Sequence, residues 1–421
     1  MSFSSFHFLI FFPIVAAIYY LLPAKVRWIH LLAASFIFYM ASVPAYIFLI
    51  LAMIFVDFRL AMAMTAPQAG GARRTLCISI SLFMNLGLLA FFKYYNFFVA
   101  NLNDILALVR LAPAIPLLRL IVPLGLSFYV FQAMSYTLEV YRGNQPPERH
   151  FGRYALYMMF FPLRGMGPIE RPQQLLPQFH RQILFDYDKV VDGVRQMTWG
   201  FFKKVVVADR LAPGVDTVYG DPSQFAGIQL ILATVFYSFQ IYADFSGYAD
   251  IAVGAGKVLG FDLVNNFRRP YFATSLSDFW RRWHISLYSW FNDYLFTPLA
   301  IAQRDWGKAG VVVAIMVTFT LSGLWHGAAW TYVIWGCLHG LGLSWGVLMR
   351  RRRPQRADDG LSRAVGMVLT FSFVSFAFIF FRAKDLHDAV YVVTHLGTGL
   401  GEFAGRALEP GGSSPTERFS L

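Results

Sequence analysis

Apolar residues in this chain come in long, nearly unbroken runs, and polar residues are confined to the short gaps between them. The first run, Phe3 to Leu22, has no basic leader and no small-residue cleavage site, so it reads as a retained helix. Two spans follow at about 28–42 and 45–63, turning at Ser42-Val43-Pro44. Further apolar segments cover about 76–100, 121–138, 154–162, 196–208, 228–243 and 248–260, and beyond a polar, aromatic-rich stretch come 311–349 and 364–381. At 1.5 Å per residue, the run from Val311 to Met349 would reach roughly 58 Å, too long for one crossing of a ~30 Å hydrocarbon core. It is expected to cross twice or to break, with the break at Gly323-Leu324-Trp325-His326-Gly327. About ten crossings are expected in all, several of them short enough to be re-entrant or interfacial where protein buries them.

Composition supports this pattern. The chain has 421 residues, 57% hydrophobic and only 14% charged, with a mean hydropathy of +0.50, outside the range of soluble domains and suited to an all-α polytopic membrane protein. Its 43 Phe, 21 Tyr and 10 Trp fit a lipid-facing surface with aromatic belts, and the alternation of a membrane β-barrel is absent. A net charge of +12 raises the question of nucleic acid, but cationic loops held on the cytoplasmic side account for it, so no nucleic-acid partner is expected. Lys25 and Arg27, then Arg59, Arg73 and Arg74, and above all Arg350 to Arg353 mark the cytoplasmic face, which puts the N-terminus on the far side, the periplasm in a Gram-negative cell. Cys77 and Cys337 form no metal or disulfide spacing. A single membrane-embedded domain is expected over 1–395, followed by a flexible Gly-, Pro- and Ser-rich tail over 396–421.

Three polar insertions interrupt the apolar background. An ionisable ring in an apolar run is costly and reads as part of a polar site inside a bundle. His326 is therefore the first candidate for chemistry, flanked by Gly323 and Gly327, which allow close approach. The stretch 242–250 places Asp244, Ser246, Tyr248 and Asp250 among hydrophobic neighbours. Its carboxylates are either site residues or the ion-pair partners of Arg268, Arg269, Arg281 and Arg282. The stretch 276–287 reads as one amphipathic interfacial helix, capped by Ser277, with an Asp278–Arg282 pair at i, i+4 and Trp280 and His284 on a shared inner face. His284 is equally a core histidine and a site residue on this reading, whereas His339 reads as a packing residue. The third insertion, Phe160 to Pro172, is a buried or re-entrant turn. It matches no phosphate-binding fingerprint.

Taken together, Pro123-Leu124-Gly125-Leu126-Ser127-Phe128-Tyr129, Gly167-Pro168-Ile169, Asp244 to Asp250, Phe279-Trp280-Arg281-Arg282-Trp283-His284-Ile285-Ser286-Leu287 and Leu324-Trp325-His326-Gly327 resemble the membrane-bound O-acyltransferase (MBOAT) family. The likeness runs from Met1 to about Ala383, nearest to the bacterial branch that modifies exported polysaccharides and teichoic acid. It implies a ring of about ten tilted helices, with re-entrant and interfacial ones, around a tunnel through a thinned centre. It also implies a catalytic role for His326 and a place for His284 beside the same tunnel. Trp325, Trp280, Trp283, Asp244, Ser246, Tyr248, Arg281 and Arg282 are the candidate substrate and tunnel-lining residues. Two departures stand out. Relatives commonly carry Gly-Gly-Asn-Arg where this chain reads Thr297 to Arg304, and they continue through further spans after the Phe381-Arg382-Ala383 motif, so this chain is expected to be a short variant or a truncated product.

The activity implied is O-acetyl transfer at the inner membrane, with no metal and no bound cofactor. The donor is acetyl-CoA on the cytoplasmic side, and the acceptor is a periplasmic acetyltransferase partner or the exported polysaccharide itself, such as alginate, cellulose or peptidoglycan. A neutral imidazole at His326 can take the acceptor's hydroxyl proton, His284 can orient the donor carbonyl or stabilise the oxyanion, and cytoplasmic arginines can meet the donor's phosphates. Two rival readings are D-alanyl transfer from a phosphopantetheine carrier protein, and a transporter or lipid scramblase in which His326 relays protons.

Overall fold

The computed structural model describes residues 1–41, 44, 46–67, 69–110, 115–123, 125–349 and 360–399, and these are built from helices and connecting turns without strands. In chain order the helices are α1 (Phe6–Leu21), α2 (Arg27–Met40), α3 (Tyr46–Met64), α4 (Gly71–Leu89), α5 (Tyr95–Leu108), α6 (Leu126–Arg142), α7 (Phe151–Met159), α8 (Pro172–Leu175) and α9 (Tyr187–Phe201). Then follow α10 (Asp209–Gly220), α11 (Ile228–Val258), α12 (Leu276–Trp280), α13 (Ile285–Phe291), α14 (Thr297–Ala302), α15 (Lys308–His326), α16 (Trp330–Leu348), α17 (Gly360–Arg382) and α18 (Leu386–His395). Part of the expected Ser42-Val43-Pro44 turn, the Arg350 to Arg353 run and the tail from 400 onward lie outside the described residues.

Among the described residues, five stretches are long and apolar enough to cross a membrane: Tyr46–Met64, Gly71–Leu108, Ile228–Val258, Lys308–His326 and Gly360–Arg382, with Phe6–Leu21 a shorter apolar helix. Other segments that count toward ten are short or sunk into protein. In α6, Tyr129, Val130, Ala133 and Tyr136 are fully buried. Large apolar side chains such as Phe6, Phe48, Phe83 and Leu361 point outward instead, as a lipid-facing surface requires.

Three expectations about elements are corrected. The segments 228–243 and 248–260 are one helix, the 31-residue α11. The polar insert does not break it, because neighbouring lysines satisfy its side chains sideways while the backbone ladder continues. The supposed single helix over 276–287 is two, α12 and α13, separated by a turn at Arg281 to His284, so Trp280 and His284 share no helical face. Its N-cap is Ser275, whose Oγ accepts from Asp278 N (3.2 Å), not Ser277. The expected ion pair does form, with Arg282 Nη2 3.0 Å from Asp278.

The break near His326 is where the pattern placed it. α15 ends at His326, Gly327 is extended (φ −158°), and α16 starts at Trp330. The two helices then run back against each other through Gly323 and Gly336. A Cβ on Gly323 would overlap the Tyr332 carbonyl oxygen, and one on Gly336 that of Phe319, the close approach that small residues permit within membranes. Glycines do the same between α9 and α11: a Cβ on Gly200 would lie 2.6 Å from Gly247 O, and one on Gly193 2.7 Å from Gly254 O. The Phe160 to Pro172 insertion is a buried turn, held by Phe161 N donating to Ser35 Oγ (3.1 Å) and Ile169 N donating to Ser286 Oγ (3.0 Å). Burial pushes the Glu170 carboxyl of this turn up to about 7. One of its oxygens accepts from Val264 N at 2.7 Å.

Candidate active site

The last carbonyls of a helix lack partners within it, and at α15 these are the carbonyls that precede His326. Tyr94 Oη donates to Leu324 O at 2.9 Å, and the Lys93 ammonium donates to Trp325 O. Both come from a π-helical turn, Ala90–Tyr94, that joins α4 to α5. The extra residue of a π turn rotates side chains out of the regular register, and here it aims a cation at a helix C-terminus, where the backbone dipole favours one. Lys93 also lies 5.5 Å from the Trp325 ring centroid and 3.3 Å from Ser127 Oγ.

His284 arrives by a different route. It has φ 45° and ψ 53°, left-handed values that are uncommon for a residue with a Cβ. The turn is held from outside: Ile285 N donates to Asn266 O (2.9 Å), Ser286 N to Asn266 Oδ1 (3.1 Å) and Arg268 N to Arg282 O (2.9 Å). The result sends the imidazole inward, 1% exposed, edge-on to Phe245 at 4.6 Å and stacked with Phe128 at 6.1 Å. Neither of its ring nitrogens has a hydrogen-bond partner among the described residues. His326 is half-buried and held edge-on by Trp325, Trp335 and Phe381, at 5.0, 5.1 and 5.3 Å between centroids. Trp325 stands between the histidines, 6.4 Å from the His284 ring.

Both histidines line one cavity of about 350 Å³, together with Lys93, Ser127, Phe128, Met166, Gln240, Asp244, Phe245, Trp283, Trp325, Trp335 and Phe381 among others. Five sequence candidates thus meet there: His326, His284, Trp325, Trp283 and Asp244. The other candidates face elsewhere. Trp280 and Arg281 line a separate cavity of about 640 Å³ between α12–α13 and α15–α16. Trp280 Nε1 donates to His339 Nδ1 at 3.3 Å, which gives His339 the packing and hydrogen-bonding role expected of it. Arg282 is engaged by Asp278. Ser246 accepts from Lys203 Nζ at 2.9 Å, and Tyr248 Oη pairs with Ser2 Oγ (2.5 Å) and accepts from Phe3 N (3.3 Å).

The partners of Asp244 and Asp250 also need correction. They are lysines, not the arginines at 268, 269, 281 and 282. Lys204 Nζ sits 2.6 Å from Asp244 Oδ1. Asp250 pairs with Lys203 and accepts from Gln196 Nε2 at 2.9 Å. The glycine contacts between α9 and α11 bring the π turn Phe202–Ala208 alongside 244–250. Arg268 and Arg269 line a third cavity, of about 370 Å³, with Trp199 and Asn266. Among the described residues, the group that could hold a metal by geometry is Asp385, the N-cap of α18, with His387 and Asp388 in its first turn, and it shares no residue with the histidine cavity.

Sequence reasoning missed Lys93, Ser127, Phe128, Gln240, Phe245, Trp335 and Phe381 as cavity residues. Lys93 carried a usable signal, since a charge inside an apolar run is costly for the same reason as His326. Phe128, Phe245 and Phe381 stood in the motifs of the resemblance but nothing there gave their direction, and Trp335 carried no signal because Phe and Trp are frequent throughout the chain.

An imidazole lining such a cavity can accept and return a proton. Residues 145–383, which include both histidines, match the membrane-bound O-acyltransferase family model. The chain belongs to that family. This membrane acyltransferase is 35% identical over 394 residues to the probable alginate O-acetylase of Azotobacter vinelandii, covering 92% of this chain and 76% of that one. It is 34% identical to the peptidoglycan O-acetyltransferase of Helicobacter pylori, over 86% of this chain and 72% of the relative. It is 26% identical to the teichoic acid D-alanyltransferase of Bacillus subtilis, over 63% and 69%.

Proposed function

We propose that this acyltransferase passes an acetyl group from a cytoplasmic thioester, acetyl-CoA, across the inner membrane for O-acetylation of an exported polysaccharide, received directly or through a periplasmic acetyltransferase partner. One observation carries this reading: His326 opens into a ring-walled cavity that also holds His284, and the relatives similar over most of the chain are named for O-acetylation. The transmembrane route through the centre of a helix ring belongs to the same proposal.

In the reaction, neutral His326 takes the proton of the acceptor hydroxyl as its oxygen attacks the thioester carbonyl. A tetrahedral oxyanion forms, the carbon–sulfur bond breaks, and the departing thiolate collects the proton from His326. A positioned general base contributes about 10²–10⁴-fold. Aromatic walls keep water out and so favour transfer over hydrolysis. His284, opposite Trp325, orients the carbonyl.

The test is a His326→Ala variant expressed in cells that lack the wild-type protein. It is expected to reach the membrane at normal level while acetate per sugar in the exported polymer falls at least a hundredfold, in keeping with the ~10²–10⁴-fold worth of a base. Wild-type acetate content overturns the reading. Failure of export with unchanged acetate per sugar would instead identify a transporter. The D-alanyltransferase relative supports D-alanyl transfer as a second reading, and the mass of the acyl group released by mild base separates the two.

A further inference from the structure

Among the described residues, Lys93 is the only lysine or arginine in the wall of the cavity that holds His326. Its partners are neutral: the Trp325 carbonyl and, at 3.3 Å, Ser127 Oγ. No carboxylate lies within ion-pair distance of it among the described residues. The other charged residue of the wall, Asp244, is engaged by Lys204 instead. A cation inside a membrane-spanning stretch with no counter-ion is expensive, and a neutral hydroxyl or amide would cap the helix as well at less cost. A cap also does not require a π turn, an irregularity that clusters at functional sites.

The reaction offers a use for this charge. When the acceptor oxygen attacks, the carbonyl π electrons move onto its oxygen, and that negative charge must face a donor already in place. Lys93 binds the carbonyl of the residue before His326, so its ammonium reaches the cavity beside the base. Ser127 supplies a second, neutral donor at the same point. We propose that Lys93 is a catalytic residue, with its ammonium as the oxyanion-stabilising cation of the acyl transfer and Ser127 as its auxiliary donor. The oxyanion collapses back to the new ester as the thiolate leaves, and Lys93 keeps its proton throughout. This inference rests on the acyl-transfer reading above.

The test uses the full chain in lipid nanodiscs with acetyl-CoA and an oligosaccharide acceptor. Lys93→Gln retains an N–H for the Trp325 carbonyl but removes the charge, so it separates a cap from a catalyst. It is expected to keep its thermal midpoint and its KM for acetyl-CoA while kcat drops about 10²–10³-fold, the usual loss of an oxyanion donor. Lys93→Arg, which restores a cation, is expected to recover part of that loss. A second measurement compares inhibition by a tetrahedral, anionic methylphosphonyl analogue of the thioester with that by the neutral acetonyl ketone analogue. Wild type is expected to favour the anion, and Lys93→Gln to lose the preference. An active Lys93→Gln with near wild-type kcat, or one that keeps the preference, overturns the proposal and leaves Lys93 a helix cap. A wild-type protein that neither transfers acetyl nor binds either analogue overturns the acyl-transfer reading and this one with it.

Discussion

At the scale of single residues, the site is made from side chains that cost stability where they stand. His284 combines a left-handed backbone with a buried ring whose nitrogens lack partners among the described residues. A glycine would relieve the backbone and an alanine would not, while both remove the imidazole. His284→Gly is therefore expected to be more stable than His284→Ala by about 1 kcal/mol, the usual difference at such dihedrals, with both inactive in acetyl transfer. Chemical or thermal unfolding of the two detergent-solubilised variants checks this, and equal stability would mean that the turn carries no strain. His326 was legible in the sequence because a lone imidazole in an apolar run has no bland explanation as strong as its cost. Lys93 was equally legible by that rule, yet reading 76–100 as one uninterrupted span passes over it. The role of Trp280 was not legible, because its direction depends on a helix break that residues near 266 impose.

At the scale of elements, the sequence pattern is reliable where a helix end is made locally and unreliable where it is made by contact. The α15–α16 break follows from Gly327 and its neighbours and stands where the pattern put it. The turn between α12 and α13 depends on Asn266, some eighteen residues earlier, and the continuity of α11 depends on Lys203 and Lys204 from another helix. No local periodicity reports such partners. The glycine contact between α15 and α16 also yields a prediction. Gly323→Ala would set a methyl group against the Tyr332 carbonyl and force the helices apart, at a cost of about 1–3 kcal/mol typical of overpacking. Because His326 ends the same helix, activity is expected to fall further than stability. Thermal midpoints and acetate content measured on the same membranes check this, and a variant with wild-type values in both would show that the crossing tolerates a Cβ.

At the scale of the whole molecule, orientation follows from the loops. Lys308 Nζ reaches Leu348 O at 3.5 Å, so the start of α15 and the end of α16 lie on one side, the side expected to be cytoplasmic from the Arg350 to Arg353 run. The 23 residues of α17 are long and apolar enough to reach the other face. Asp305 and His387, both well exposed, should then lie on opposite sides. With Cys77 and Cys337 replaced by serine, Asp305→Cys is expected to react with an impermeant maleimide only after the cells are opened, and His387→Cys in intact spheroplasts. Labelling of both from one side would refute this orientation. The membrane class and the two-histidine framework were plain in the sequence. The count of crossings was not, since a helix buried in protein and one buried in lipid look alike in composition.

The walls around the two histidines carry one more consequence. Each ring is fixed by the faces and edges of neighbouring aromatics, and among the described residues no acid hydrogen-bonds to a second nitrogen to settle which tautomer is present. Such a ring is free to load a hydrogen on whichever edge the incoming alcohol presents and discharge it from the other. Turnover would then need no orienting acid to be reset between cycles, and the shape of the enclosure would do the work that a carboxylate does in a hydrolase triad.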